Sequence, residues 1–304
     1  MENIPHIPVL YREVLDTFSG CHNAIVDCTM GYGGHTSMLL ESVDSRSVIG
    51  LDQDITAIEF SRKRLEIFGK RATIKQGRFS ELISSTLAEN SDICGVLADI
   101  GVSSLQLDER DRGFSFESES LDMRMDRDRE LSAMDVINSY DKKSLQDILY
   151  NYGEIKNSAK IADAIVKSRP FNSTKELLDA IIHLLPRNKK IHPATLVLQA
   201  IRIEVNDELG ELERLLESIE KSEAKKLTVA IISFHSLEDR IVKNVFNRWA
   251  KRCICPMDAM RCDCGNNHHI GKVITKKPIT ARDDEIKQNP RSRSAKMRIF
   301  EIDR

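Results

Sequence analysis

No stretch of the 304 residues is apolar over the length a membrane span requires. The opening MENIPHIPVL lacks the basic segment and apolar run of a secretory signal. No internal repeat, no low-complexity tract and no Pro-Pro pair occurs. Net charge is only −2. These absences argue against a membrane protein, a repeat array and a secreted chain, and a cytoplasmic protein is the expectation. Its seven cysteines then fit a reducing compartment, where thiols stay free or bind metal. The small net charge conceals an asymmetry. Residues 240–304 hold 16 Lys+Arg against 7 Asp+Glu, a surplus of +9, so the remainder sums to −11. A basic C-terminal quarter suits a polyanion contact.

The length suits two domains, or one domain carrying a large insertion. Short apolar segments at 24–29, 48–52, 71–76 and 95–100 alternate with helical patterns such as TSMLLESV and TAIEFSRKRLEIF. That alternation predicts parallel β-α-β units. From about 106 to 206 the pattern changes to amphipathic helices, with apolar residues at three- and four-residue spacing. Within HPATLVLQAIRIEVNDELGELERLL, residues Leu196, Ala200, Val205, Leu209, Leu212 and Leu216 predict one long helix. Sheet character returns in LTVAIIS, and KVITKKPI and SAKMRIFEI are further strand candidates. Ser236 and Asp239 resemble a capping box opening a helix. The expected fold is therefore an α/β sheet formed by 1–105 and 207–304, interrupted by a helical insertion, 106–206.

The richest chemistry lies in Asp27-Cys-Thr-Met-Gly31-Tyr-Gly33-Gly34-His35. Glycines at a strand-to-helix turn let backbone approach a ligand, and the helix start offers free N–H groups. Asp52 ends the next strand 19 residues after Gly33, where a carboxylate can accept from ribose hydroxyls. A dinucleotide site expects G-x-G-x-x-G beneath a pyrophosphate. Here an acid precedes the loop, which suits a cationic ligand such as S-adenosylmethionine better.

Further motifs carry a specific resemblance. They include HIPVLYREVL (6–15), GYGGHT (31–36), GRFSEL (77–82), LADIGVSSLQLD (97–108), RGFSF (112–116) and LDMRMD (121–126). QAIRIEVNDEL (199–209), SFHSLEDRIVK (233–243) and NPRSRSAKMR (289–298) continue the series to the far end of the chain. Together they resemble the RsmH (MraW) family of bacterial 16S rRNA (cytosine-N4)-methyltransferases. The resemblance implies a Rossmann-like class I sheet and an S-adenosylmethionine cofactor. Gly33, Gly34 and His35 would contact the cofactor, Asp52 would hold its ribose, and Phe79 would lie against adenine. Asp99 and Gln106 would complete that site. The partner would be 16S rRNA in the small ribosomal subunit, methylated at a cytidine of the decoding centre, with the helical insertion as its recognition domain.

The residues themselves point to methyl transfer but not to the target atom. The sequence after the fourth strand is Asp99-Ile-Gly101-Val-Ser-Ser, without the Pro-Pro-aromatic loop of many amine methylases. C5 methylation needs a nucleophilic cysteine, and no Pro-Cys pair lies near the fourth or fifth strand. Asp99 is the acid best placed to accept an amine proton. His235 lies past the fifth strand and suits either a substrate contact or a structural hydrogen bond. Arg291, Arg293 and Lys296 are phosphate-contact candidates. Cys253, Cys255, Cys262 and Cys264 form two Cys-x-Cys pairs beside His268 and His269. They read either as a tetrahedral zinc site or as a reduced surface loop, and no metal is assigned. An NAD-linked dehydrogenase and a non-catalytic RNA-binding protein with a zinc loop are the rival functions.

Overall fold

A computed structural model describes residues 8–185, 192–256 and 261–304. The chain forms two compact units, one of residues up to Gly101 together with Glu211–Arg304, the other of Val102–Gly210.

The first unit is built on β1 (Ala24–Asp27), β2 (Ser47–Asp52), β3 (Ala72–Gln76), β4 (Ile93–Asp99), β5 (Lys226–Ser233), β6 (Gly271–Val273), β7 (Ile279–Thr280) and β8 (Lys296–Asp303). Their order across the sheet is β3-β2-β1-β4-β5-β8-β6, with β7 paired to β8. The first five strands run parallel, and β8 is antiparallel to β5. This is the expected Rossmann-like α/β sheet. Strand β1 is buried along its whole length because both sheet faces are covered. Its side chains alternate between two cores. Ala24 and Val26 join Leu212, Leu216, Phe246 and Trp249 on one face. Ile25 joins Val14, Phe18, Leu39 and Ile58 on the other.

The helices of this unit are α1 (Tyr11–Thr17), α2 (Gly34–Ser42), α3 (Ile55–Leu65) and α4 (Phe79–Glu89). The second unit holds α5 (Ser104–Asp108), α6 (Ala133–Ser139), α7 (Lys142–Asn151), α8 (Ser158–Ser168), α9 (Thr174–Ile181) and α10 (Pro193–Asn206) around a core that includes Val136, Leu145, Ile161, Leu177 and Ile201. Then come α11 (Glu208–Lys221), α12 (Ser236–Trp249) and α13 (Asp283–Gln288). Among the described residues no helix is long and apolar enough to cross a membrane.

Four expectations need correction. The single long helix is two, α10 and α11, because Asp207 adopts a left-handed conformation (φ 52°) that ends α10. Asn206 fixes that end: its side chain donates to Met123 O and Arg202 O and accepts from Met125 N. KVITKKPI is not one strand. Pro278 lacks a ladder donor, and where the pairing lapses Ile299 N–H donates to the Thr275 hydroxyl instead. The cap of α12 is His235 with Glu238, one residue before the expected pair. Finally, Cys21 and Cys94 are joined as a disulfide rather than free, since packing of the α1 end near β4 brings their Cα atoms to 5.7 Å. The other five cysteines are free thiols.

Arg46 has no counterpart in the sequence reading. It is fully buried, and its guanidinium donates to Phe18 O, Cys21 O, Leu39 O and Ser42 Oγ. Removing it takes the charged donor from all four; Phe18 O keeps Cys21 N–H and Leu39 O keeps the Ser42 hydroxyl, but Cys21 O loses its guanidinium partner in the interior. Arg46→Leu is therefore expected to destabilise the protein by about 3 kcal/mol or more. Urea unfolding checks this; a loss below about 1 kcal/mol would show that water replaces the guanidinium.

Candidate active site

The parallel strands all end at one edge of the sheet, where open α/β sheets place ligands. At the end of β1 the backbone bonds continue past Asp27. Cys28 N–H donates to Leu97 O and Met30 N–H to Leu51 O. The Thr29 hydroxyl accepts from Asp99 N at 2.7 Å. The glycine loop thus starts from a point fixed to both neighbouring strands.

Gly31 (φ 53°) and Gly33 (φ 73°) turn the chain into α2. A Cβ at Gly33 would sit 3.2 Å from Ser61 Oγ, so the position is tight as well as strained for any side chain. Loop carbonyls are held from α3: Ser61 Oγ donates to Gly31 O and Arg64 to Tyr32 O. Gly34 serves a packing need, because the Pro8 ring lies 2.8 Å from where its Cβ would stand.

Three carboxylates surround this loop. Asp27 is buried and accepts from Thr36 Oγ1 at 2.7 Å and Thr29 N at 3.2 Å. Asp52 accepts from Gly31 N at 2.7 Å and Asp54 N at 2.8 Å, clasping the loop to the start of α3. Loss of solvent pushes both carboxyls up to about 6. Asp99 is pushed further, to about 8, first by burial and then by the charges of Asp27 and Glu238. Its Oδ1 is buried and has no hydrogen-bond partner among the described residues. An orphaned acceptor of this kind is costly unless something fills the space before it.

His35 lies beside Asp99. Its Nε2 meets Val9 O at 2.9 Å, and its Nδ1 is 3.8 Å from Asp99 Oδ2. Burial lowers its pKa to about 4, so the ring is neutral at pH 7. Nε2 then carries the proton given to Val9 O, and Nδ1 presents a lone pair toward Asp99. Phe79 is the first residue of α4, half-buried at the rim of the sheet core. Gly77 N–H, just before it, donates to Asp52 O.

The other candidates divide. His235 is committed to capping α12, with its Nε2 3.0 Å from Glu238 Oε1, while Glu238 Oε2 accepts from Phe234 N and His235 N. Lys296 opens β8 opposite Ser233 and lies 3.9 Å from Asp239. Because β8 is antiparallel, its first residue falls on the same sheet edge as Asp99. Arg291 and Arg293 are exposed on the helical turn Pro290–Ser294 immediately before it. Gln106 belongs to the second unit, where Ser103 N donates to its Oε1 and Gln106 N donates to Ser103 Oγ at the start of α5. Glu238, whose charge acts on Asp99, was not singled out from the sequence; only its place at the third helical position could have marked it.

The geometry is a glycine loop ringed by carboxylates, with one unmet acceptor and a basic turn on the same edge. Comparison with known proteins accords with it. The family model described as the MraW methylase family matches residues 3–303. Ribosomal RNA small subunit methyltransferase H of Sulfurimonas denitrificans is 61% identical over 305 residues, covering 99% of each chain. The protein of that name from a Nitratiruptor species is 54% identical, again over 99% of both chains. The one from Campylobacter curvus is 56% identical over 98% of both. With the match running through both units of the fold, the chain belongs to the MraW methylase family.

Proposed function

We propose that this protein transfers a methyl group from S-adenosylmethionine to N4 of a cytidine in the decoding centre of 16S rRNA, position 1402 in conventional numbering. The observation that carries the cofactor is the acid ring. Asp27, Asp52 and Asp99 are gathered at the glycine loop, where burial raises the proton affinity of all three and the charge of Asp27 adds to it at Asp52 and Asp99. Such a cluster repels a pyrophosphate and favours a ligand bearing positive charge. The orphaned Asp99 Oδ1 and the crowded Gly33 turn fit a donor-bearing nucleoside held close to backbone. Gly33, Gly34 and His35 form the floor, Asp52 takes the ribose hydroxyls, and Phe79 faces the adenine. When bound, S-adenosylmethionine supplies a sulfonium-activated methyl group.

The chain's own task is alignment and proton handling. The cytosine amine is a weak nucleophile because its lone pair is delocalised into the ring. Asp99 in its ionised form accepts a hydrogen bond from that amine, localises the lone pair and takes the proton as the new bond forms. The Thr29 hydroxyl, which accepts from Asp99 N, fixes the backbone that carries the carboxylate. Arg291, Arg293 and Lys296 bind RNA phosphates beside the site, and the helical insertion supplies the remaining grip. The base leaves its stack to reach Asp99, as enzymes acting on bases require.

Calorimetry tests the cofactor: S-adenosylhomocysteine is expected to bind, NADH not, and Asp52→Ala to weaken binding at least tenfold. Asp99→Asn is expected to cut turnover about a hundredfold or more under saturating cofactor; full turnover there would remove Asp99 from proton transfer. In the ligand-free protein the raised Asp99 carboxyl holds a proton that the unfolded chain has released. Its contribution to stability is therefore complete at low pH and is lost as pH rises toward about 8. The stability of Asp99→Asn relative to wild type should rise between pH 6 and pH 8, by at most about 1.4 kcal/mol per pH unit; unchanged urea midpoints across that range would contradict it. Arg291→Glu with Arg293→Glu should weaken RNA binding and flatten its salt dependence. Unaltered binding and salt slope would place the RNA elsewhere.

A further inference from the structure

The activity proposed above leaves the cysteine-rich segment between α12 and β6 without a task. In the fold its four thiols converge. Cys253 Sγ lies 3.5 Å from Cys262 Sγ and 3.6 Å from Cys264 Sγ, and Cys262 and Cys264 are 3.6 Å apart. With Cys255 included, all four sulfurs fall within 4.8 Å of one another. They are free thiols, not disulfides. A zinc ion with bonds of about 2.3 Å to four thiolates requires sulfur–sulfur edges of about 3.8 Å. The observed spacing matches a single ion. An iron–sulfur cluster would interpose its own sulfides and spread the ligands apart.

The backbone is arranged for thiolates. Ile254 N–H donates to Cys264 Sγ at 3.4 Å. Gly265 (φ 81°) and Asn266 (φ 54°) make a left-handed turn immediately after Cys264. Amide hydrogen bonds to ligand sulfur are a form of outer support that orients metal ligands. The segment is closed at its base, where Ile270 N–H donates to Trp249 O and His268 N–H to Arg252 O. His268 Nε2 also meets Cys264 O at 2.8 Å. Lys251, Arg252 and Arg261 stand exposed around it, offsetting the net negative charge of a four-thiolate zinc centre.

We propose that Cys253, Cys255, Cys262 and Cys264 hold a structural zinc ion that fixes the connection between α12 and β6. All four positions are taken by protein, so the site is closed and does no chemistry on a substrate. The proposal is independent of the methyl-transfer reading.

The test uses the full chain purified without chelators. Elemental analysis should find about one zinc per chain, and a mercurial that titrates the thiols should release it. Cobalt exchanged for zinc should give the sulfur-to-cobalt charge-transfer band of a tetrahedral thiolate site. Cys262→Ala should bind metal at least tenfold more weakly, while Cys28→Ala, outside the cluster, should keep its zinc. Wild-type protein with below about a tenth of an equivalent of zinc, with iron instead, or with a mass reduced by disulfides among these four cysteines would overturn the proposal. Those wild-type readings decide the matter even if Cys262→Ala fails to fold.

Discussion

The three hydrogen bonds that continue β1 beyond its last residue are the constraint on which the site depends. Cys28 and Met30 donate their amides to Leu97 and Leu51, one on each neighbouring strand. The Thr29 hydroxyl receives the amide of Asp99. These bonds convert the end of a strand into a fixed platform. The glycine turn is launched from it in one direction, and Asp27, Asp52 and Asp99 are gathered around it. A buried carboxylate cluster is costly, and it persists here because the sheet beneath is paired and covered on both faces. The stability of the two cores is thus spent in part on holding like charges together.

The same logic explains why the site contains residues of two kinds. Asp99 offers an acceptor, Oδ1, that none of the described residues meets. His35, His235 and Glu238 hold other residues in position, through Val9 O, the start of α12 and the amides after β5. A histidine near a sheet edge invites a catalytic reading, yet His235 is a helix cap, and the acid three residues later carries the electrostatic consequence for Asp99. In the second unit the buried Arg112 does comparable work, donating to Arg124 O and Met125 O, while Arg124 is paired with Asp122. Several of the motifs that set this chain apart are therefore structural brackets.

The parallel strands were legible because each is a short apolar run ending in a turn residue, and the alternation with amphipathic helices left few other arrangements. The carboxylate ends of β1, β2 and β4 were legible for the same reason: an acid after an apolar run marks where a strand meets solvent. What periodicity could not carry was the break at Asp207. Apolar spacing continues through it, and the interruption is set by Asn206 bonding to residues about eighty positions earlier. The split of KVITKKPI likewise depends on a hydroxyl meeting a distant amide. Arg46, the Cys21–Cys94 pairing and the Arg12–Asp284 and Arg282–Glu13 ion pairs between α1 and the α13 region are long-range contacts with no local signature. Sequence patterns report what neighbours along the chain do; these features join residues remote from one another.

The position of β8 has a consequence for how the molecule is made. This strand comes last among the described elements, yet it lies inside the sheet, between β5 and β6. Until it is synthesised, β5 presents an unpaired apolar edge, and the segment after α12 has no strand to join. Domains generally fold as units. Here β1 to β4 are synthesised first, and the basic turn and β8 follow the other described elements of the same unit. The sheet that carries the glycine loop is therefore complete only once the basic turn and β8 have been made.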